Sequence, residues 1–302
     1  MKVLAKILIY FAAVIIFGAL LAPPLYWAGH ALADKGTLQF LGETALDKYF
    51  RRAVLLAALA LLWPTARWLQ IGSVRELGLA PDPRWRQHLL TGFSVAALAV
   101  AAMAGVYVAL GFYHFKSTLP WAQLPKLAFS AITVALLEEA LFRGAIFGLL
   151  RKSAPPFTAL FSVSAIFSIL HFLRPGPDLD PLAGVEVVRW FSGLALVPEL
   201  FSAFGEPITL LAGFTTIFTL GWVVGYTTLR TRSLWMGIGF HAGLVFVKMG
   251  FSKFTKRDAE LLPWVGRELQ IGLVPVAVLA LAGAFLWWKL RRENKGAQTP
   301  DN

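Results

Sequence analysis

Long apolar runs constrain the fold of this chain more than any other feature. Eight of them recur with short charged breaks between, and most approach roughly 20 residues. An α-helix of about 20 apolar residues crosses the hydrocarbon core of a bilayer, whose interior admits only helices and closed barrels. The sequence therefore predicts an all-α polytopic membrane protein built as an eight-transmembrane-helix bundle. The predicted spans are residues 5–27, 51–70, 89–112, 125–150, 157–173, 208–229, 234–251 and 269–290.

The charge of the chain fits this class of protein. The formal net charge is +11 although only 15% of the residues are charged. Basic residues at the ends of membrane helices contact anionic lipid headgroups, and no Lys/Arg cluster stands beside stacking aromatic residues on a soluble module. We therefore expect membrane lipids as partners and no nucleic acid. The absence of cysteine excludes disulfides, thiol nucleophiles and Cys-ligated metals.

We expect one transmembrane domain over residues 1–302, with three less regular parts. Lys2 and Lys6 before an apolar core, and Ala31–Ala33, resemble a signal peptide, but Pro23 and Pro24 favour an uncleaved helix. Residues 174–206 are broken by Pro and Gly and predict an interfacial or re-entrant segment, either a covering loop or a substrate lid. Residues 292–302 predict a disordered tail.

The orientation follows from the short loops. Lys and Arg in "RKSAPP" and "RTRS" favour a cytoplasmic location for these loops, which places both termini in the cytoplasm. We expect the protein in a bacterial inner membrane. No feature of the sequence indicates an oligomeric state.

The stretch "VALLEEALFRGAIFGLL" places two acids and an arginine inside an apolar helix. Glu139 and Arg143 are four residues apart and can form a salt bridge on one helix face. Glu138 lies about 100° around the helix and is left to face a neighbouring helix. Ionised residues are costly in hydrocarbon, so they usually face protein or a water-filled cavity. Glu138 is therefore a candidate general base or acid, the alternative being a solvated helix end.

Two histidines accompany these acids. In "FSILH", Phe167 and His171 share one helix face, and His171 is either a catalyst or an interfacial residue. His241 is predicted in mid-span among small residues that permit close helix approach. Glu138, His171 and His241 would together offer a Glu-His-His zinc set, although no HExxH motif is present. The metal-free alternative uses the carboxylate and imidazoles to activate a water and stabilise an oxyanion.

"EEALFRG", "FSILH" and "GYTTLRTRSLWMGIGFHAG" together resemble the CPBP family of intramembrane proteases, which includes CAAX proteases and bacteriocin-processing enzymes of the Rce1 type. The resemblance covers about residues 125–250 and implies an intramembrane cavity. It implies a glutamate-type mechanism without a cofactor, in which Glu138 and His171 activate water and His241 stabilises the oxyanion. Glu139, Arg143 and Phe167 would support them. The substrate would be a membrane-anchored peptide, possibly lipidated.

The sequence departs from the family at Val245. The family has Asn or Asp four residues after the third-motif histidine, and loss of one oxyanion donor typically costs about 10²–10³ in rate. Three interpretations of Val245 are open: another residue supplies the donor, catalysis is slower, or the protein has lost its activity. The main alternative function is therefore a non-catalytic scaffold or a bacteriocin immunity factor. A transporter is a further alternative, because buried Glu and His can relay protons, but no inverted repeat supports it.

Overall fold

The structure is a computed structural model that describes residues 2–73, 75, 81–173 and 187–296. By its internal contacts the chain divides into two compact units. The first unit comprises residues 1–72 and 171–207, and the second comprises residues 73–170 and 208–302. The single domain predicted over 1–302 stays a prediction.

The first unit is built on two long helices packed against each other. Helix α1 is Lys2–Asp34 and helix α2 is Leu46–Trp68, and a 3₁₀ turn at Gln39–Leu41 lies between them. The short helix α7, Ser192–Ala195, and the 3₁₀ helix Pro198–Gly205 complete the unit. The apolar core joins α1, α2, the residue after α7 and the 3₁₀ helix Pro198–Gly205; its buried residues are Ala19, Ala22, Leu46, Tyr49, Phe50, Ala53, Leu196 and Leu200.

The described part of the segment predicted as interfacial or re-entrant packs on α1. Gly193 lies so close to this helix that an added Cβ would be 1.9 Å from the backbone oxygen of Ala19. The turn at 192–200 is thus fixed by close backbone contact and by buried leucines. Asp178, Asp180 and Glu186 of the same predicted segment lie outside the described residues.

The second unit contains the remaining helices and a small sheet. Its helices are α3 Trp85–Ala109, α4 Leu124–Glu139, a π-helix at Ala140–Ile146, α5 Phe147–Arg151, α6 Pro156–His171, α8 Pro207–Thr231, α9 Trp235–Phe254 and α10 Leu273–Gly296. The last residue of α6, His171, and the first residue of α8, Pro207, are assigned to the first unit. A 3₁₀ turn at Trp121–Gln123 precedes α4. Strand β1, Tyr113–Phe115, pairs antiparallel with β2, Thr255–Arg257, with Tyr113 opposite Arg257. This two-stranded sheet, which the sequence did not predict, joins the end of α3 to the end of α9.

Helices α3 and α9 pack at very short range because both present glycine. An added Cβ at Gly239 would lie 2.0 Å from the backbone oxygen of Leu89, and one at Gly92 would lie 2.1 Å from that of Met236. Small residues let helix backbones approach closely in membranes, where no hydrophobic force between helices adds to packing. The prediction that small residues beside His241 permit close helix approach is therefore confirmed at Gly239.

Gly239→Ala is expected to lower the free energy of unfolding by about 1–3 kcal/mol, because the new methyl meets backbone atoms that cannot rotate away. Gly105→Ala in α3 is the matched control: no atom lies within 4 Å of its added Cβ. The control should be neutral or stabilising by up to about 1 kcal/mol, since Ala is the better helix former. Denaturation of both purified variants in one detergent measures the difference, and equal stabilities would contradict the close α3–α9 packing.

The start of α3 is held by an acid outside the helix. The Asp82 carboxylate lies 2.7 Å from His88 Nδ1 and accepts a hydrogen bond from the Arg84 backbone N–H at 2.9 Å. Burial raises the pKa of Asp82, but these bonds, the positive charge that His88 can carry and a contact with Ser233 together hold the pKa below its ordinary value. Asp82 therefore stays ionised at neutral pH and joins α3 to the turn before α9.

Four helices in the described part of the chain are long and apolar enough to cross a membrane by length and composition. They are Ala5–Asp34, Trp85–Ala109, Pro207–Thr231 and Leu273–Glu293. Each of the eight predicted runs overlaps a helix, yet the count of eight membrane crossings is not confirmed. The mostly helical fold is confirmed.

The predicted disorder of residues 292–302 is wrong for its first five residues, because α10 continues to Gly296. Local pairs stabilise this end: Lys289 lies 3.1 Å from Glu293, and the Arg292 guanidinium lies 4.1 Å from the centre of the Trp288 ring. Residues 297–302 lie outside the described residues.

Candidate active site

Helix α4 delivers two carboxylates to the interior of the second unit. Its buried residues recur every four positions, at Leu127, Ala131, Ala135 and Glu139, and this face packs on α9. Ala135 clusters there with Ile238 and Ala242 of α9. Glu139 therefore continues a stripe of small apolar residues, and only 1% of its surface is exposed.

Immediately after Glu139 the helix widens into the π-helix at Ala140–Ile146. Such wide turns are rare and occur frequently at functional sites. Arg143 lies in this turn with its side chain fully buried, and its Nη1 donates a hydrogen bond to Glu139 Oε1 at 3.2 Å. The predicted salt bridge between Glu139 and Arg143 is thus present.

Aromatic rings and a glycine surround the Arg143 guanidinium. Its carbon lies 4.2 Å from the centre of the Phe167 ring, a cation–π contact from α6. Phe142 packs edge-on against Phe167, with ring centres 4.9 Å apart. Gly221 of α8 has no side chain and so makes space for the guanidinium, since an added Cβ would lie 3.2 Å from Arg143 Nη2. Phe167 thus contacts the buried charges as predicted, whereas Phe142 and Gly221 were not predicted.

His241 completes the group of charges and is 2% exposed. Its Nδ1 lies 2.7 Å from Glu139 Oε1, and its ring meets Phe167 at right angles with centres 6.0 Å apart. A carboxylate only accepts hydrogen bonds, so Nδ1 carries the ring hydrogen in this contact. The other ring nitrogen is thereby directed away from Glu139.

That other nitrogen faces Glu138. His241 Nε2 lies 3.8 Å from Glu138 Oε2, and the Glu138 side chain is 29% exposed. This separation is too long for a direct hydrogen bond and short enough for one water to contact both atoms. The structure thus brings both carboxylates, Arg143 and His241 together. The expectation that only Glu138 faces a neighbouring helix is corrected, since Glu139 also contacts His241 of α9.

The remaining predicted residues lie as follows. His171 is the half-buried last residue of α6 and belongs to the first unit, so its approach to Glu138 and His241 stays a prediction. Val245 lies one helical turn beyond His241 and carries no hydrogen-bond donor in its side chain.

The alternative zinc set of Glu138, His171 and His241 stays a prediction, because His171 belongs to the first unit. In the part of the chain that the structure describes, no three His, Cys, Asp or Glu side chains are grouped so that they could hold a metal ion. His241 Nδ1 is already engaged by Glu139, which leaves one ring nitrogen for any other contact.

A comparison with known families matches the region that carries these residues. Residues 119–247 match the family model described as type II CAAX prenyl endopeptidase Rce1-like. This segment is an Rce1-like domain. The match confirms the resemblance to CPBP proteases, and the domain contains all six residues proposed for the site. Comparison with curated proteins and with solved structures gave no match.

The Rce1-like family is a protease family. Together with the four long apolar helices of the described residues, the match indicates an integral membrane protein.

Proposed function

We propose that this protein is an intramembrane endopeptidase in which Glu138 is the general base. One observation supports this most: Glu139 engages His241 Nδ1 at 2.7 Å while Nε2 faces Glu138 at 3.8 Å. A buried carboxylate that binds one ring nitrogen of a histidine fixes the direction of the other nitrogen, as in hydrolytic triads, and here that nitrogen is held beside Glu138. Arg143 in turn fixes Glu139.

The chemistry follows from these positions. A water between Glu138 and His241 gives a proton to a Glu138 oxygen, and its own oxygen forms the new bond to the scissile carbonyl carbon. Glu138 then passes this proton to the leaving amine nitrogen as the carbon–nitrogen bond breaks. His241, protonated on both nitrogens, donates Nε2–H to the oxyanion. Its positive charge and that of Arg143 balance the two carboxylates.

His171 is the second proposed partner of the water, as the family resemblance implies. Val245 offers no donor to the oxyanion, so we propose that His241 carries this role without the family's Asn or Asp. Turnover should then be slow relative to a protease with both donors, by about 10²–10³ for one missing donor.

The substrate proposed is a peptide bond presented from the membrane, in a lipidated or C-terminally anchored chain. We also propose that the chain crosses a bacterial inner membrane eight times and has both termini in the cytoplasm. The basic residues at and just after the ends of α5 and α8 support this orientation; they are Arg151, Lys152, Arg230 and Arg232.

His171→Ala is expected to lower the rate of peptide cleavage by about 10²–10⁴, the range for loss of a proton-transfer partner. The assay compares C-terminal peptides of membrane proteins in cells with the wild-type protein and with the variant. His114→Ala is the control, because His114 is exposed and pairs with Asp258 outside the domain's charged cluster.

Equal cleavage by wild type and His171→Ala would remove His171 from the mechanism. If the C-terminal peptides of the membrane proteome are the same with and without the wild-type protein, and the same when Glu138 is substituted, the scaffold or immunity function becomes the better account.

A further inference from the structure

The second unit contains a groove that the proposed chemistry does not use. The cavity has a volume of about 780 Å³ and lies between the start of α6, the second half of α8 and the middle part of α10 from Ala280 to Arg291. None of Glu138, Glu139, Arg143 and His241 lines it. Its wall is largely aromatic and apolar; the residues that matter here are Phe157, Trp222, Tyr226, Trp287, Arg230 and Arg291.

The groove has the length of one membrane leaflet. On α8 it extends from Thr219 to Arg230, and on α10 from Ala280 to Arg291, so its ends are eleven positions apart along each helix. At about 1.5 Å per residue this is roughly 16 Å, or about half of the ~30 Å hydrocarbon core. The two arginines therefore lie at one end of a groove that reaches about to mid-membrane.

The arginines are exposed and available to an anion. Within the described residues, no carboxylate forms an ion pair with Arg230 or Arg291. The Arg291 guanidinium lies 4.3 Å from the centre of the Trp287 ring, a cation–π contact. Two guanidinium groups at the mouth of an apolar groove match a phosphate attached to an alkyl chain.

We propose that this groove binds an anionic phospholipid. Its phosphate is bound by Arg230 and Arg291, and one acyl chain lies along Trp222, Phe157 and the small residues Gly283 and Ala284. The proposed cytoplasmic orientation of this end agrees with the proposal, because the cytoplasmic leaflet is rich in anionic lipid. The site does not depend on the peptidase proposal, since it uses none of the same side chains.

The test is a lipid titration of the full-length protein in detergent, followed by native mass spectrometry. Phosphatidylglycerol and phosphatidylcholine with identical acyl chains are the two probes. We expect preferential binding of phosphatidylglycerol, and a loss of about 30-fold in its affinity in the double variant Arg230→Gln/Arg291→Gln. The control Arg232→Gln/Arg292→Gln removes two neighbouring charges that do not line the groove, and it should retain the affinity.

A second arm tests the acyl-chain site. Ala284→Trp fills the groove and should weaken binding of both lipids, whereas Leu281→Trp, on an exposed position of α10 outside the groove, should not. Melting temperatures of all variants verify that they remain folded.

Three results would overturn the proposal. Equal binding of the two lipids would show that any lipid fills the groove, and equal losses in the two arginine double variants would show binding by overall charge. A dimer in the mass spectra that Ala284→Trp abolishes would assign the groove to a second copy of the chain.

Discussion

Glu138→Gln is expected to abolish most peptide cleavage, lowering kcat by about 10²–10⁴, while the protein stays folded. The amide keeps the size of the carboxylate but cannot take a proton from water. Because 29% of the Glu138 side chain is exposed and it lies 3.8 Å from His241 Nε2, the substitution breaks no short buried hydrogen bond between them. Cleavage rate and melting temperature, measured on the same purified preparation, separate the two effects.

Glu139→Gln provides the internal comparison for this experiment. Glu139 binds both His241 and Arg143 through the same oxygen, at 2.7 and 3.2 Å, so its substitution should lower both activity and melting temperature. Glu199→Gln, in the 3₁₀ helix of the first unit, should change neither. If Glu138→Gln cleaves at the wild-type rate, or loses as much stability as Glu139→Gln, Glu138 is not the base.

The helices were largely predictable because hydropathy and helix geometry are local properties. Each predicted apolar run overlaps a helix, and the i,i+4 spacing of Glu139 and Arg143 correctly predicted their salt bridge. The pairing of β1 with β2 joins residues more than 100 positions apart, and no local pattern indicated it. The helical residues 292–296 were missed because a charged, Gly-containing tail has the composition of a disordered end, although here it continues α10.

The site shows the same boundary between local and distant information. The spacing of Leu127, Ala131 and Ala135 contains the signal that Glu139, not Glu138, continues the buried face of α4. The contact of Glu139 with His241 joins residues 102 positions apart and required the packing of α4 on α9. The π-helix at Ala140–Ile146 was unpredictable from the i,i+4 pattern, since an α-helix fits the same letters.

Arg143→Met is expected to lower the free energy of unfolding by about 3–5 kcal/mol, the range for removing one partner of a buried ion pair. The side chains of Arg143 and Glu139 are 0% and 1% exposed, so water cannot replace the lost guanidinium. The substitution also removes the cation–π contact with Phe167. Denaturant unfolding in a single detergent, monitored by circular dichroism, measures the change.

Arg257→Met is the matched control in the same unit, because Arg257 pairs with Glu260 at 3.3 Å but is 39% exposed. Exposed pairs contribute about 0–1 kcal/mol, so its substitution should have little effect. The double variant Glu139→Gln/Arg143→Met should lose less stability than the two single variants together, since it leaves neither a buried carboxylate nor a buried guanidinium unpaired. Additive losses, or an Arg143→Met variant as stable as Arg257→Met, would mean that this ion pair does not hold Glu139. The orientation of His241 toward Glu138 would then need another cause, because Glu139 Oε1 is the atom that contacts His241 Nδ1.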